Sequence, residues 1–286
     1  MSKKLLALLL GLTLCLSLAA CGGDTGDTTE DTAGDTTTED TAGDTAETVT
    51  LTVAASPTPH AVILEQCVPI LAEQGIELVI NQYDDYVVPN TAVEDGDEDA
   101  NYFQHLPYLE EFNETRGTHL VSVAGVHIEP MGIYAGKTAS LDELADGAVI
   151  GIPNDPTNEG RALLLLEAQG LITLDDSSNL SATPNNIVDN PKNLQFEEIE
   201  AQTLPSSRPD LDLAVINSNY ALGAGLNPTT DALAIESGDS PYVNVLVVKE
   251  GNEDNPAIQA LVEALHSDTI RDFINEEFDG AVVPAF

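Results

Sequence analysis

The order of apolar and polar positions predicts strands that alternate with helices from residue 49 onward. The first apolar run, VTLTVAAS, is typical of a strand, and apolar residues at three-and-four spacing over 60–74 predict a helix after it. Further strands are predicted at IELVINQY, HLVSVAGVHIEP, AVIGIP, LQFEEIE, LDLAVIN and YVNVLVVKE, and helices at 255–265 and 267–278. Apolar strands separated by helices predict sheets that are mostly parallel and covered on both faces. There are too many strands for one small sheet, so we expect two α/β lobes.

The amino-terminal end has the layout of a secretory signal. Lys3 and Lys4 precede an apolar run over residues 5–16, which is too short to span a bilayer. The run ends in Leu-Ala-Ala-Cys21, which resembles the lipobox of bacterial lipoproteins, where a peptidase cuts before the cysteine and the thiol takes a diacylglycerol. We expect residues 1–20 to be removed and lipid on Cys21 to hold the protein on the outer face of the cell membrane. An ordinary signal peptide with a chance cysteine is the alternative.

Residues 21–48 are predicted to form a disordered acidic tether. TEDTAGD occurs at 29–35 and again at 38–44, and the stretch after Cys21 holds nine acidic residues and no lysine or arginine. It also lacks aromatic and large aliphatic residues, so it cannot bury enough apolar surface to fold. Docking on a basic partner is the alternative, and nothing in the sequence favours it.

The charge of the chain excludes some classes of partner. Nine Lys and Arg stand against 49 Asp and Glu, a net charge of -40. We therefore expect no electrostatic binding of nucleic acid or of an anionic membrane face. The histidines and cysteines show no metal-ligand spacing, and no nucleophile or nucleotide-binding motif occurs. We expect no metal, no cofactor and no enzymatic activity, with a hydrolase as the weakest alternative. Cys67 lies in an apolar helical pattern, which predicts a buried, inert thiol.

The stretch GIPNDPTNEGRALLLLEAQG, residues 151–170, predicts a helix that begins at a polar site. Asp155 is a good N-cap and Pro156 suits the first turn, and the N-terminus of a helix offers unpaired N–H groups. Asn158 and Arg161 lie on one face near that end, which favours a carboxylate-binding site. Gly160 is expected to leave room beside the site. The alternative is that Arg161 only pairs with one of the many acids.

The stretch DANYFQHLPYLEEF, residues 99–112, concentrates rings in a chain that is 5% aromatic. Aromatic walls suit an apolar or thioether side chain. We expect Tyr102, Phe103, His105 and Tyr108 to line such a pocket. The alternative is a patch of core.

Six motifs, in this order and spacing, resemble the methionine-binding lipoprotein family, the substrate-binding components of methionine ABC importers. They are DANYFQHLPYLEEF, HIEPMGIY, IPNDPTNEGRALLLL, NPKNLQFEEIEA, LAVINSNYA and SPYVN. The resemblance implies an α/β, two-lobed, periplasmic-binding-protein-like fold with a ligand cleft at a two-strand hinge. It implies a first lobe of residues 49–130 and 245–286 and a second lobe of residues 131–244. The crossing strands are expected near 129–133 and 240–245.

The resemblance also assigns a ligand and its contacts. Arg161 and Asn158 are implied to hold the carboxylate of the ligand, and Asn244 to bind its polar end. The ring pocket is that of the preceding stretch, and the further implied contacts are His127 and Asn219. The implied function is capture of L-methionine for a membrane permease and ATPase of an ABC importer. D-Methionine, a methionyl dipeptide, another small apolar amino acid, or a non-transport envelope or attachment role are the alternatives. The chain departs from the family in its acidity, its long tether and Tyr102.

Overall fold

The computed structural model describes residues 48–237 and 240–286. The predicted signal peptide, the lipidation site at Cys21 and the tether up to residue 47 lie outside the described residues. Within the described ranges, no helix has both the length and the apolar character needed to cross a membrane.

Strands and helices alternate through most of the described chain, as the apolar pattern predicts. The helices are α1 (Val62–Ala72), α2 (Val88–Asp95), α3 (Leu106–Arg116), α4 (Pro156–Ala168), α5 (Leu204–Ser207), α6 (Ser218–Gly223), α7 (Pro256–Leu265) and α8 (Asp268–Phe278). The strands are β1 (Val49–Ala55), β2 (Ile76–Gln82), β3 (Ala100–His105), β4 (Leu120–Ile128), β5 (Gly132–Ala135), β6 (Val149–Pro153), β7 (Thr173–Leu174), β8 (Ile187–Asp189), β9 (Gln195–Ile199), β10 (Leu213–Ile216), β11 (Ala232–Ile235), β12 (Val243–Lys249) and β13 (Val283–Pro284).

The larger strands form two separate sheets. One sheet has the order β13-β4-β12-β3-β1-β2, and we call it with its helices the first lobe. The other has the order β11-β5-β10-β6-β9, and we call it with its helices the second lobe. The expectation of mostly parallel sheets is wrong. β12 runs antiparallel to β3 and β4, and β5 runs antiparallel to β10 and β11, because each enters its sheet after the chain has crossed from the other lobe.

Each lobe buries its own apolar core. In the first lobe, α1, α7 and α8 contribute side chains such as Ile63, Leu261 and Ile274 to a core beneath the sheet. Cys67 lies in this core, so the prediction that its thiol is buried is confirmed, and burial raises the pKa of the thiol to about 12. In the second lobe, the leucines of α4 pack on β6 with residues such as Ile150.

Two segments carry the chain between the lobes. The first joins β4 to β5 through residues 129–131, and the second joins β11 to β12 through residues 236–242. The first lies within the predicted range 129–133, and the second overlaps the predicted range 240–245 only over 240–242. β12 already begins at Val243, two residues before the predicted boundary at 245, and the lobe limits stay a prediction.

Candidate functional site

A cavity enclosing about 340 Å³ lies where the two lobes and the first crossing segment meet. The first lobe contributes rings and amides from β3, α3 and the start of β12, and the second lobe contributes the starts of α4 and α6. The lining residues are Tyr86, Phe103, Gln104, His105, Tyr108, Glu129, Asn158, Arg161, Asn217, Ser218, Asn219 and Asn244.

The start of α4 is built as the sequence predicts. Asp155 caps the helix by accepting the N–H of Asn158 at 3.0 Å, and Pro156 is the first helical residue. The Asn158 side chain donates to both carboxylate oxygens of Asp155, at 2.8 and 3.0 Å. Its oxygen accepts from Asn217 at 2.7 Å and from His105 at 3.1 Å. Asn158 therefore joins the two lobes and orients its neighbours, since both sides of its amide are engaged.

Gly160 serves packing rather than the cavity. A side chain at this position would place its first carbon 2.3 Å from the backbone oxygen of Leu180. The expectation that Gly160 leaves room beside the site is therefore corrected. It lets the segment around Leu180 and Ala182 pack directly on α4.

Arg161 lines the cavity and is also ion-paired. Its Nε lies 3.1 and 3.2 Å from the carboxylate oxygens of Glu236, and its Nη2 bonds the same carboxylate and, at 2.7 Å, the backbone oxygen of Glu129. The guanidinium carbon lies 4.3 Å from the centre of the Tyr242 ring, which adds a cation–π contact. Glu236 and Tyr242 belong to the second crossing segment. Within the described ranges Nη1 has no protein partner.

Glu129 forms the opposite, first-lobe side of the cavity with a buried hydrogen-bond network. Its Oε1 accepts from Nε2 of His127 at 2.8 Å and lies 3.2 Å from Nε2 of His60. The Nε2 of His60 also lies 3.0 Å from Oδ1 of Asn244. Nδ1 of His127 accepts the hydroxyl of Tyr102.

Burial sets the charge of this network. It lowers the pKa of His60 to about 4 and the pKa of His127 to about 3, so both rings are neutral near pH 7. Burial raises the pKa of Glu129, while His60 and Arg161 oppose the shift. The network therefore holds one carboxyl group between uncharged donors.

The same cluster is the arrangement that could hold a metal among the described residues. One ligand atom each from His60, His127 and Glu129 lies within 4.8 Å of the others. Linear spacing could not show this, because the three residues come from different elements. Each of the three atoms already takes part in the hydrogen bonds of the network, and these bonds account for the arrangement.

Rings form the apolar part of the cavity. The Tyr86 and Phe103 ring centres are 5.9 Å apart, and those of Phe103 and Tyr108 are 6.1 Å apart. The Tyr108 hydroxyl donates to the backbone oxygen of Tyr86 at 2.9 Å, which fixes both rings. His105 accepts the N–H of Tyr108, and burial lowers the pKa of His105 to about 3. The result is a wall that suits an apolar side chain.

Comparison with known proteins agrees with this geometry. The model of the family described as NlpA lipoprotein matches residues 51–286. The chain belongs to the NlpA lipoprotein family.

Relatives with assigned names fall in the same group. The methionine-binding lipoprotein MetQ of Bacillus subtilis (strain 168) is 44% identical over 239 residues, covering 82% of this chain and 87% of that protein. The D-methionine-binding lipoprotein MetQ of Escherichia coli (strain K12) is 44% identical over 211 residues, covering 73% of this chain and 78% of that protein. These names are those of binding proteins and agree with the prediction that the chain is not an enzyme.

A solved structure of a nutrient-binding protein from Burkholderia cenocepacia, bound to methionine, has the same fold. It is 41% identical, with a TM-score of 0.80, and the match covers 82% of this chain and all of that one, 100%. The predicted fold class, two α/β lobes with a cleft at a two-strand hinge, is confirmed.

Seven of the nine residues that the family resemblance assigned line the cavity, and Tyr102 and His127 do not. Tyr102 is fully buried in the first-lobe core, whereas the next three residues of β3, Phe103, Gln104 and His105, line the cavity. The register of β3 against β12 shifts between Tyr102 and Gln104, so strict alternation does not hold along this strand. Tyr102 and His127 instead lie behind Glu129 as part of its hydrogen-bond network.

Five lining residues were not predicted from the sequence: Tyr86, Gln104, Glu129, Asn217 and Ser218. Glu129, Asn217 and Ser218 directly follow apolar strands in the family motifs HIEPMGIY and LAVINSNYA, a position where polar side chains often form sites. That signal could have identified them. Gln104 bonds Asn90 at 2.9 Å, and neither it nor Tyr86 carries a comparable signal.

Proposed function

We propose that this protein is an extracytoplasmic solute-binding lipoprotein that captures L-methionine and delivers it to an ABC importer. The observation that carries the proposal is the cavity itself. It places donors from Arg161 and Asn244, acceptors from Glu129 and Asn217, and a wall of rings around one enclosed space. A zwitterion with an apolar side chain matches these three parts, and the names of the relatives, methionine-binding and D-methionine-binding lipoprotein, support methionine as that zwitterion.

The carboxylate of the ligand is assigned to Arg161 and Asn244. Nη1 of Arg161 is the part of the guanidinium that Glu236 and the Glu129 backbone do not use. The Asn244 side chain lines the cavity, and its oxygen is engaged by His60, which leaves its NH₂ group for the ligand. A charge-assisted bond and an amide donor are a strong combination for a carboxylate.

The ammonium group of the ligand is assigned to Glu129 and Asn217. Both are acceptors that line the cavity. The side-chain oxygen of Asn217 is buried and has no hydrogen-bond partner among the described residues. An unpaired buried acceptor costs free energy, so a ligand N–H that reaches it gains that contact at little further desolvation cost.

The thioether side chain is assigned to the rings of Tyr86, Phe103 and Tyr108. These rings enclose the apolar part of the cavity, and sulfur–ring contacts contribute about 0.3–1.5 kcal/mol each. A flexible, unbranched methionine chain adapts to such a wall better than a branched one.

Calorimetry decides between the candidate ligands. L-Methionine, D-methionine, L-leucine and a methionyl dipeptide are titrated into protein that has been unfolded, dialysed and refolded to remove retained ligand. L-Methionine is expected to bind most tightly. Tighter binding of D-methionine or of the dipeptide would replace the ligand in the proposal, and absence of binding by all four would overturn it.

Membrane attachment through Cys21 is part of the proposal. Cys21→Ser is expected to release the protein into the medium or to leave an uncleaved precursor. Unchanged processing and membrane retention in cell fractionation would contradict lipidation.

Delivery to a permease and its ATPase separates a transport role from a purely structural envelope role. Cells that lack this protein are expected to lose high-affinity uptake of labelled methionine, and the wild-type gene to restore it. Restoration by the Arg161→Ala variant at wild-type level would favour the envelope role, since that variant is expected to bind methionine poorly.

Closure of the lobes over the ligand is expected from the position of the cavity at the crossing segments. Solution scattering is expected to show a smaller radius of gyration when methionine is added to the refolded protein. An identical scattering profile at saturation would contradict closure.

A further inference from the structure

We propose that His60, which does not line the cavity, is the positioning residue that turns the Asn244 amide so that its NH₂ group faces the ligand. The inference rests on the proposed function, because it concerns how the site recognises a carboxylate. His60 is fully buried, and its ring lies behind Asn244 and Glu129. It comes from the segment before α1, far in sequence from both partners.

The tautomer of His60 follows from its surroundings. Its Nε2 faces an oxygen on two sides, Oε1 of Glu129 at 3.2 Å and Oδ1 of Asn244 at 3.0 Å. Its Nδ1 is buried without a hydrogen-bond partner in the described part of the chain. A proton on Nδ1 would leave a buried donor unpaired and set the Nε2 lone pair against the Glu129 oxygen. The proton therefore belongs on Nε2.

An N–H at Nε2 fixes the orientation of Asn244. A donor at this position requires the amide to present its oxygen, so the NH₂ group must point the other way. Asn244 is the first-lobe amide at the start of β12, and it lines the cavity. The side chain can then only donate to a ligand, which selects an acceptor such as a carboxylate oxygen.

The second histidine of the network holds Glu129 in place for His60. His127 donates from Nε2 to the same oxygen of Glu129 at 2.8 Å, and its Nδ1 is occupied by the Tyr102 hydroxyl. This chain of bonds runs from the first-lobe core to the cavity wall. These bonds hold Oε1 of Glu129 close to Nε2 of His60, where it favours a proton on that nitrogen.

The orientation of the amide is tested directly at Asn244. Asn244→Asp places a carboxylate oxygen where the inference puts the NH₂ group, whereas Asn244→Ala only removes the contact. We expect Asn244→Asp to bind L-methionine at least tenfold more weakly than Asn244→Ala in calorimetric titrations, on the order of the cost of a close like-charge contact. If Asn244→Asp binds more tightly than Asn244→Ala, the oxygen faces the ligand and the inference is overturned.

The role of His60 is tested by a matched pair. His60→Gln keeps an N–H donor at the reach of Nε2, while His60→Leu keeps apolar volume without a donor. We expect His60→Leu to weaken methionine binding about 10-fold to 100-fold and His60→Gln to stay within about threefold of wild type, in line with one buried hydrogen bond to a polar group. His266→Leu is the control, since His266 bonds the backbone of Gly125 and lies outside the cavity lining.

The outcomes separate positioning from a merely structural role. Equal loss of affinity in His60→Gln and His60→Leu, or wild-type affinity in a folded His60→Leu, would overturn the inference. If His60→Leu does not fold, the comparison of Asn244→Asp with Asn244→Ala still decides it. If the wild-type protein binds no methionine, the proposed function itself fails, and this result is distinguishable from all the others.

Discussion

The two polar walls of the cavity hold their functional groups by different means. On the second-lobe side, Arg161 carries a full charge and is held by an opposite charge, Glu236, at 3.1 Å. On the first-lobe side, Glu129 accepts an N–H from neutral His127, and Nε2 of neutral His60 lies 3.2 Å from the same oxygen. An ion pair supplies attraction over several ångströms, whereas a neutral network supplies direction and depends on each proton being at the right atom.

The Arg161–Glu236 pair also stabilises the protein before any ligand is bound. A lone guanidinium buried to 3% exposure would be costly, and Glu236 offsets that cost before any ligand arrives. The ligand carboxylate then meets a cation that is already paired. The second-lobe wall should therefore dominate affinity, and the first-lobe wall should dominate selectivity and sensitivity to pH.

Removal of the cation is expected to give the largest effect. Arg161→Ala leaves both Glu236 and the ligand carboxylate without a partner, and loss of one member of a buried pair costs about 3–5 kcal/mol, or at least about 100-fold in affinity. Calorimetry with L-methionine measures it. Arg116→Ala is the control, because Arg116 is exposed at the end of α3. Near-native affinity in a folded Arg161→Ala would reduce that residue to a structural ion pair.

Replacement of Glu236, the carboxylate that pairs with Arg161, is expected to act mainly on stability. Glu236→Gln unpairs Arg161 and should lower the free energy of unfolding of the empty protein by about 3 kcal/mol. Saturating methionine should reduce this loss of stability, because the ligand carboxylate replaces the lost negative charge beside Arg161. Thermal unfolding with and without methionine measures both effects.

A matched exposed pair provides the control for this prediction. Asp268→Asn breaks the pair with Arg271, in which the Asp268 side chain is 89% exposed, and it should cost no more than about 1 kcal/mol. A Glu236→Gln deficit that methionine leaves unchanged would show that the ligand does not meet Arg161.

Lowering the pH is expected to reduce the stability of the protein through the buried histidines of the first-lobe wall. The unfolded chain binds a proton on each of these histidines near pH 6.5, whereas the folded pKa values are about 4 for His60 and about 3 for His127. The unfolded state therefore binds more protons in this window, and these histidines lower stability as pH falls from about 6.5 toward 4. His60→Gln should lose less stability than wild type between pH 7 and pH 5. A His60→Gln variant whose stability follows wild type over this range would contradict the assignment.

Removal of a hydrogen bond that joins the two lobes at the cavity is expected to give the smallest effect. The Tyr86 hydroxyl of the first lobe donates to Asn219 of the second lobe at 2.7 Å. Tyr86→Phe removes one hydrogen bond of the closed form and keeps the ring, so methionine affinity should fall by about fivefold, or about 1 kcal/mol. Tyr83→Phe is the control, since Tyr83 bonds Glu98 outside the cavity lining. A loss of 100-fold in Tyr86→Phe would mean that the hydroxyl contacts the ligand itself.

Local signals explain what the sequence could predict. The start of α4 was predictable because Asp155 and Pro156 act within one turn, and α7 and α8 were predictable from their apolar spacing. The pairing of Arg161 with Glu236 could not be predicted, since 75 residues separate them and many acids were available.

Tyr102 shows what a local pattern could not predict. The sequence assigned Tyr102, Phe103 and His105 of β3 to one pocket with Tyr108. The register of β3 against β12 shifts just after Tyr102, and simple alternation along the strand does not predict which of these side chains reach the cavity. Glu129, by contrast, gains its role from His60 and His127, and only the pairing of sheets and crossing segments brings those three together.

The claim that Arg161 and Glu129 hold opposite ends of a zwitterion is tested most directly by titrating three ligands into the refolded wild-type protein. L-Methionine has both charges, L-methionine amide lacks the carboxylate, and N-acetyl-L-methionine lacks the ammonium group. Loss of a charged hydrogen-bonding partner in a buried site predicts that both analogues bind at least about 100-fold more weakly than methionine. If either analogue binds within tenfold of methionine, the residues assigned to the missing charge do not hold that end of the ligand, and the account is contradicted.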